Sequence, residues 1–250
     1  ALPYLEKAVE GKPNNPDPFL YLADAQLRLK INPAAAEDAL QKALEMDPDN
    51  HQAIALLGEA QSAGGDLQNA LITFQKALET PLNRDPSWGP RIMLGLGNTA
   101  LGLEKTDTAL ATLKEAHTQF PDHLGLIRSL AVAYRSAELP NHSLELIHKA
   151  AETAPDKSEI LSWIADFSLT IDAPEEAVGA LEKLIKINPT HHAYYLQLGK
   201  AQAAAGRDQK AIASFSLLTK QEDVDPEFLY QAGELLINLG MEKAFDPSSA

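Results

Sequence analysis

The sequence predicts an all-α solenoid of about fourteen helices arranged as antiparallel pairs. Three observations carry that reading. Pro121, Pro155 and Pro189 stand 34 residues apart, and Pro13 and Pro48 stand 35 apart. Small residues keep the same beat at Ala1, Ala36, Ala70, Ala109, Ser143, Ala177 and Ala211, and again at Ala23, Gly58, Gly97, Ala131, Ala165, Gly199 and Gly233. The composition is 45% hydrophobic but only 6% aromatic, and its wealth of Ala and Leu over Val favours helix over strand. A stacked array also suits the length, because each unit buries its face on its neighbours and needs no single large core.

In chain order, residues 1–15 read as the second helix of a truncated repeat. Six full repeats follow at 16–50, 51–89, 90–123, 124–157, 158–191 and 192–225, and 226–250 holds the first helix of a seventh and a tail. Phrases such as QKALEMDP and EKLIKINP close the units, their prolines stopping each second helix. Gly64-Gly65-Asp66, Gly206-Arg207-Asp208 and Leu239-Gly240 are the helix-ending turns inside a pair. Asn32-Pro33 reads as a cap followed by a first-turn proline, and Pro140 and Pro174 take the same early slot. The first full repeat carries one extra residue, placed in the Lys30–Pro33 turn. The second is five residues longer, and its connector 81–89, with Trp88, is expected to bulge from the rim.

Each repeat is numbered here so that Ile54 is position 4 and Gly58 position 8. At 100° per residue, positions 4, 7, 8 and 11 share one stripe of the first helix. Position 4 holds Phe19, Ile54, Met93, Ile127, Leu161, Tyr195 and Leu229. The second helix answers with Leu5, Leu40, Phe74, Leu113, Ile147, Leu181 and Phe215. Small residues at positions 8 and 20 let the paired helices approach closely. This stripe is a core, not a cofactor box.

On these residues the chain resembles the tetratricopeptide repeat family over nearly its whole length. A bulky apolar residue precedes a Leu-Gly-like pair, as in Ile54-Ala55-Leu56-Leu57-Gly58 and Tyr195-Leu196-Gln197-Leu198-Gly199, an Ala recurs twelve residues on, and a Pro closes the unit. The resemblance implies a right-handed superhelix with a concave groove that binds partner peptides.

Little chemistry is on offer. The absence of Cys excludes disulfides, thiolate chemistry and Cys-based zinc sites. None of His51, His117, His123, His142, His148, His191 and His192 falls in a metal-ligand spacing, and His191-His192 reads as a solvated turn pair. Gly64-Gly65 lacks the context that cradles phosphate, no Ser sits in a nucleophile elbow, and Glu175-Glu176 merely opens a helix. The expectation is no enzyme, no metal and no cofactor. A formal net charge of −14 argues against nucleic acid, and no apolar run reaches the roughly 20 residues that span a bilayer.

What remains is the inner surface. Positions 2, 5, 9 and 12 of each first helix lie about 100° or more from the core stripe, and the resemblance makes them the lining of the groove. The first two repeats offer Asp17, Asp24 and Glu59 there, the next two Arg91, Asn98, Arg128 and Arg135. The fifth returns to Glu159 and Asp166, with Trp163 alongside, and the last two show Lys200, Tyr230 and Glu234. Guanidinium groups suit carboxylates through forked bonds, so Arg91, Arg128 and Arg135 are expected to take an acidic segment or a C-terminal carboxylate. The alternative is that these arginines neutralise Glu59 and Asp166 on flanking helices. Tetratricopeptide clamps for chaperone tails place a Lys where this chain has Leu94 and Glu159, so the resemblance does not extend to that subtype.

These features lead to a protein-binding scaffold within a larger assembly. The style (few Met, no Cys, many Ala) is similar to bacterial arrays, including envelope proteins that support polysaccharide or protein export, and this favours the periplasm over the cytoplasm. The alternative is a structural spacer, or a module that self-assembles through its end repeats. The chain opens in the middle of a repeat and reads as a segment of something longer.

Overall fold

The computed structural model describes residues 2–11, 13–153 and 158–239. Ala1, Pro155 and Gly240, all named above, lie outside them, as does the tail of the last stretch, 226–250. Every regular element among the described residues is helical, and fourteen α-helices are present. The chain divides into two compact units, Ala1–Ser143 and Leu144–Ala250.

The first unit contains α1 (Leu2–Glu10), α2 (Asp17–Arg28), α3 (Pro33–Met46), α4 (His51–Ala63), α5 (Leu67–Leu78), α6 (Gly89–Gly102), α7 (Thr106–Gln119) and α8 (Leu124–Ser136). The second contains α10 (Ser158–Thr170), α11 (Pro174–Ile187), α12 (His192–Ala204), α13 (Asp208–Leu218) and α14 (Pro226–Asn238), and α9 (Pro140–Thr153) runs across the division. Successive helices pack on each other from α1 to α8 and from α10 to α14, and neighbouring first helices such as α2, α4 and α6 also touch.

Most core residues fall where the period puts them, whereas Leu5 and Phe19 are half-buried and Leu229 is exposed. Leu40, Phe74, Leu113, Ile147, Leu181 and Phe215 are fully buried on the second helices, as are Met93 and Leu161 on the first. The small positions are closed by close contact. A side chain on Gly97 would stand 2.6 Å from Leu113 Cδ2, and Ala36, Ala70, Ala109, Ala177 and Ala211 have no exposed surface. Where position 20 is Ser143, its buried Oγ donates to the Ala131 carbonyl at 2.9 Å, so a polar atom is accommodated without a solvation loss.

The turn inside each pair is one structure used six times. Lys30, Gly65, Glu104, Glu138, Asp172 and Gly206 all have positive φ, between 54° and 87°. The N–H of each following residue reaches back five residues, as in Asp66 to the Gln61 carbonyl (2.9 Å) and Lys105 to that of Ala100 (2.8 Å). This is the Schellman closure of a helix end. The extra residue of the first full repeat is Asn32, itself left-handed, whose side chain accepts from the Ala35 N–H and caps α3.

The long connector departs from expectation. The segment after Leu78 makes a single 3₁₀ turn at Pro81–Arg84, braced by Asn83 Nδ2 donating to the Leu78 carbonyl at 2.9 Å. Asp85 Oδ1 then accepts from the Ser87 and Trp88 N–H groups. Trp88 does not bulge outward. With Leu44, Leu78 and Leu82 it packs on buried Ile54, Ala55, Ala77 and Ile92, because an indole gains more by covering apolar surface than by standing in water.

Candidate partner-binding surface

The 100° periodicity that buries position 4 turns positions 2 and 9 of each first helix the other way. In the first unit this sets Asp24 of α2, Glu59 of α4 and Arg91 of α6 on adjacent helices, and the structure joins them. Arg91 Nη2 donates to Glu59 Oε2 (2.7 Å) and to Asp24 Oδ1 (2.9 Å), and its Nε donates to Glu59 Oε1. Asp24 also accepts from Arg28 Nε, one turn along its own helix, at 2.7 Å. The Trp88 ring lies 5.1 Å from the Arg91 guanidinium carbon, within cation–π range.

Burial and pairing compete at each member. Burial pushes the Asp24 carboxyl up, but hydrogen bonds from Arg28 and Arg91 outweigh it and hold Asp24 below the ordinary aspartate value. Burial pushes Glu59 above the ordinary glutamate value and exceeds the opposing pull of Arg91. Burial lowers Arg91, yet its bonds to Glu59 and Asp24 leave it more strongly basic than usual. Arg91 is thus balanced by carboxylates of its own chain, the alternative left open by the sequence.

Elsewhere on α6 and α8, Asn98 and Arg135 are exposed and Arg128 is half-buried. Lys114 of α7 sits 5.2 Å from the ring of Tyr134, which in turn stacks on His142. In the second unit, exposed Asp166 accepts from Gln197 Nε2 at 3.4 Å, and Trp163 stacks on Phe167 with ring centres 5.4 Å apart. Lys200 Nζ donates to Gln231 Oε1 at 3.1 Å, and the Tyr230 hydroxyl donates to Glu234. The sequence reading missed Arg28 and Trp88 as members of the Arg91 network. Their spacings, four residues from Asp24 and three from Arg91, were the available signal.

Among the described residues no group of three or more His, Asp or Glu side chains is placed to hold a metal ion, and no helix is long and apolar enough to cross a membrane. Stacked helix pairs presenting varied polar side chains on their first helices define a protein-interaction scaffold. The tetratricopeptide repeat model matches residues 1–51, 32–86 and 169–226, and the chain belongs to that family. It is similar to the BBSome complex member BBS4 of Bos taurus, 22% identical over 244 residues that cover 94% of this chain and 46% of the relative. The chain spans about half the length, or less, of the curated relatives it matches. Its fold is similar to that of a tetratricopeptide repeat protein from Parabacteroides merdae, with a TM-score of 0.61, 16% identity, and coverage of 90% of this chain and 87% of the other. A third likeness is YrrB, described as a TPR protein with an unusual peptide-binding site, with a TM-score of 0.55, 18% identity, and coverage of 80% of this chain and all (100%) of the other.

Proposed function

We propose that this chain is a non-enzymatic scaffold that holds a partner segment against the inner positions of its first helices, as one component of a larger assembly. The carrying observation is a contrast within the repeats of the first unit. Their core positions hardly vary, whereas the inner ones change from Asp24 and Glu59 to Asn98, Arg128 and Arg135. A purely structural face has no need of that change of sign. A partner carboxylate or acidic segment suits Arg128, Arg135 and Asn98, with Arg91 serving as a braced wall beside them. The peptide site in the description of YrrB and the complex membership in the name of BBS4 support this reading. The export or polysaccharide-secretion setting is part of the proposal and rests on the composition's likeness to bacterial envelope arrays.

The test is a titration of acidic peptides and their amidated, lysine-substituted counterparts, read by fluorescence anisotropy. Arg128→Glu with Arg135→Glu should weaken acidic binding by about tenfold or more, about 1.4 kcal/mol, with melting unchanged. Equal affinity in the double variant would discard the reading. It would favour the spacer alternative, to which the internally paired Asp24, Glu59 and Arg91 already lend support.

A further inference from the structure

Two departures from the repeat meet at one place in the first unit. Gln26, Gln61 and Gln202 all occupy position 11 of a first helix. Two of these buried amides find a hydroxyl across the helix pair, Gln61 Oε1 accepting from Thr73 and Gln202 Oε1 from Ser214. Gln26 is only 7% exposed, yet its Oε1 has no hydrogen-bond partner among the described residues. Ala39 stands where the other repeats have Thr73 and Ser214. A buried acceptor left unpaired is costly, and a group that donates to it recovers that loss. The second departure is the turn that follows, which carries the extra residue Asn32 and holds both Lys30 and Asn32 at positive φ.

Gln26, that turn and α4 together line a cleft of about 400 Å³, within the range of ligand pockets, about 300–1,000 Å³. Leu27, Ile31 and Pro33 give it apolar walls. Lys30 and Ala63 also line it and are exposed, so it opens to solvent. Glu59 adds a carboxylate. Each of its oxygens takes one bond from Arg91, which leaves each a further lone pair. The polar groups of the cleft are thus one carboxamide, one carboxylate and one ammonium. A cation entering it would face Lys30, and an anion would face Glu59. A neutral group that both donates and accepts suits all three. A primary carboxamide is such a group: its N–H bonds serve Gln26 Oε1 and Glu59, and its oxygen accepts from Lys30. It also pairs reciprocally with the Gln26 carboxamide, whose terminal torsion is soft enough to turn toward it.

We propose that this cleft takes the glutamine side chain of a partner segment, with its stem on Leu27, Ile31 and Pro33 and its carboxamide against Gln26. The open side lets the partner's main chain stay outside, whereas a free amino acid would bring its own ammonium and carboxylate along. The cleft shares Leu27 and Glu59 with the inner positions. It is built on Gln26 and the long turn, and it does not depend on Arg128 or Arg135.

The probe is the blocked tripeptide acetyl-Ala-Gln-Ala-methylamide, titrated into the 250-residue chain and followed by NMR. The Gln26 side-chain amide and the Ile31 backbone amide should shift saturably. Replacing the probe's Gln by Met, Glu or Lys should weaken binding at least tenfold. Gln26→Met keeps the size of the side chain and removes the unpaired acceptor, so melting should be unchanged or higher while binding drops at least tenfold. Ala63→Phe fills the cleft from an exposed position and should do the same with melting unchanged. Arg128→Glu with Arg135→Glu should leave binding intact, so failure of this site and failure of the inner-face reading appear in different variants. Absence of a saturable shift overturns the proposal, as does equal affinity for the Met probe or equal affinity in Gln26→Met. Free glutamine binding as tightly as the tripeptide would assign the cleft to a small molecule and equally discard the partner segment.

Discussion

The ring of Phe74 fills the space in which a side chain on Gly58 would stand, with Cδ1 only 2.9 Å from the Cβ site. The same ring also lies against Gly95 of α6, so one aromatic joins a helix pair to the next repeat. Phe215 repeats the arrangement over Gly199, and Leu113 over Gly97. The periodic glycines are therefore contact surfaces. Their value lies in the neighbour they admit.

Overfilling these contacts should be costly. Gly97→Leu and Ala177→Phe each force a second side chain into closed space and should destabilise by about 1–3 kcal/mol or more. Thermal melting checks this, and wild-type melting for both would refute the assigned register. Gly233→Leu, at the same position of α14, should show no such loss, because among the described residues nothing stands within 4 Å of its Cβ site.

Four of the six Schellman turns place a non-glycine residue at positive φ: Lys30, Glu104, Glu138 and Asp172. L-residues resist that region by about 1–2 kcal/mol, part of which glycine returns through its freer unfolded chain. Glu104→Gly and Glu138→Gly should each stabilise by about 0.5–1 kcal/mol. Gly65→Ala, at φ 87°, should lose a similar amount. Urea midpoints at constant slope would report both signs.

Buried amides supply a third expectation. Gln61 Oε1 accepts from Thr73 Oγ1 at 2.8 Å and Gln202 Oε1 from Ser214 Oγ at 2.7 Å, across the same helix pair in two repeats. Gln26 occupies the equivalent place, but Ala39 stands opposite, and Gln26 Oε1 has no hydrogen-bond partner among the described residues. Ala39→Thr should restore the bond and stabilise by about 1 kcal/mol. Adding Gln26→Leu should remove the gain, which a double-mutant cycle would register.

The Arg91 network predicts a specific acid response. Asp24 sits below its ordinary value when folded, so its contribution is present above the unfolded aspartate value of about 3.9 and is lost as pH falls through the depressed folded value. Asp24→Asn should therefore be destabilising at pH 7, with the difference vanishing in strong acid. Glu59 runs the other way. Its raised value means that protonation favours the folded state, so its ionisation opposes folding as pH rises through that value. Glu59→Gln should accordingly lose far less at pH 7 than Asp24→Asn. Chemical denaturation from pH 7 to pH 2 separates the two signs.

Much of this was legible in the sequence because punctuation and core share one period. Prolines and small residues at a 34-residue spacing locate the helices, and the 100° rule then assigns faces. Pairing among charges was legible only as an alternative, which named Glu59 but not Asp24 as a partner for the arginines. Arg91 meets Glu59 and Asp24 from 32 and 67 residues away, and periodicity says which face a side chain occupies, not which neighbour it reaches. Trp88 was misplaced for a related reason. Its connector has no slot in the repeat, and burial of the indole, a tertiary effect, decided its direction. Glu104, Glu138 and Asp172 carry no local sign of a left-handed turn, since the three-residue link between packed helices imposes it.

Arg91 also has a mechanical consequence. It spans α2, α4 and α6 through charge-assisted bonds at 2.7 and 2.9 Å, while Trp88 covers its face. A load that splays those first helices must break this strut as well as slide the packed side chains, so the stretch from α2 to α6 is stiffer than stacking alone would make it. Pulled at its ends, the first unit should yield elsewhere before its leading repeats part.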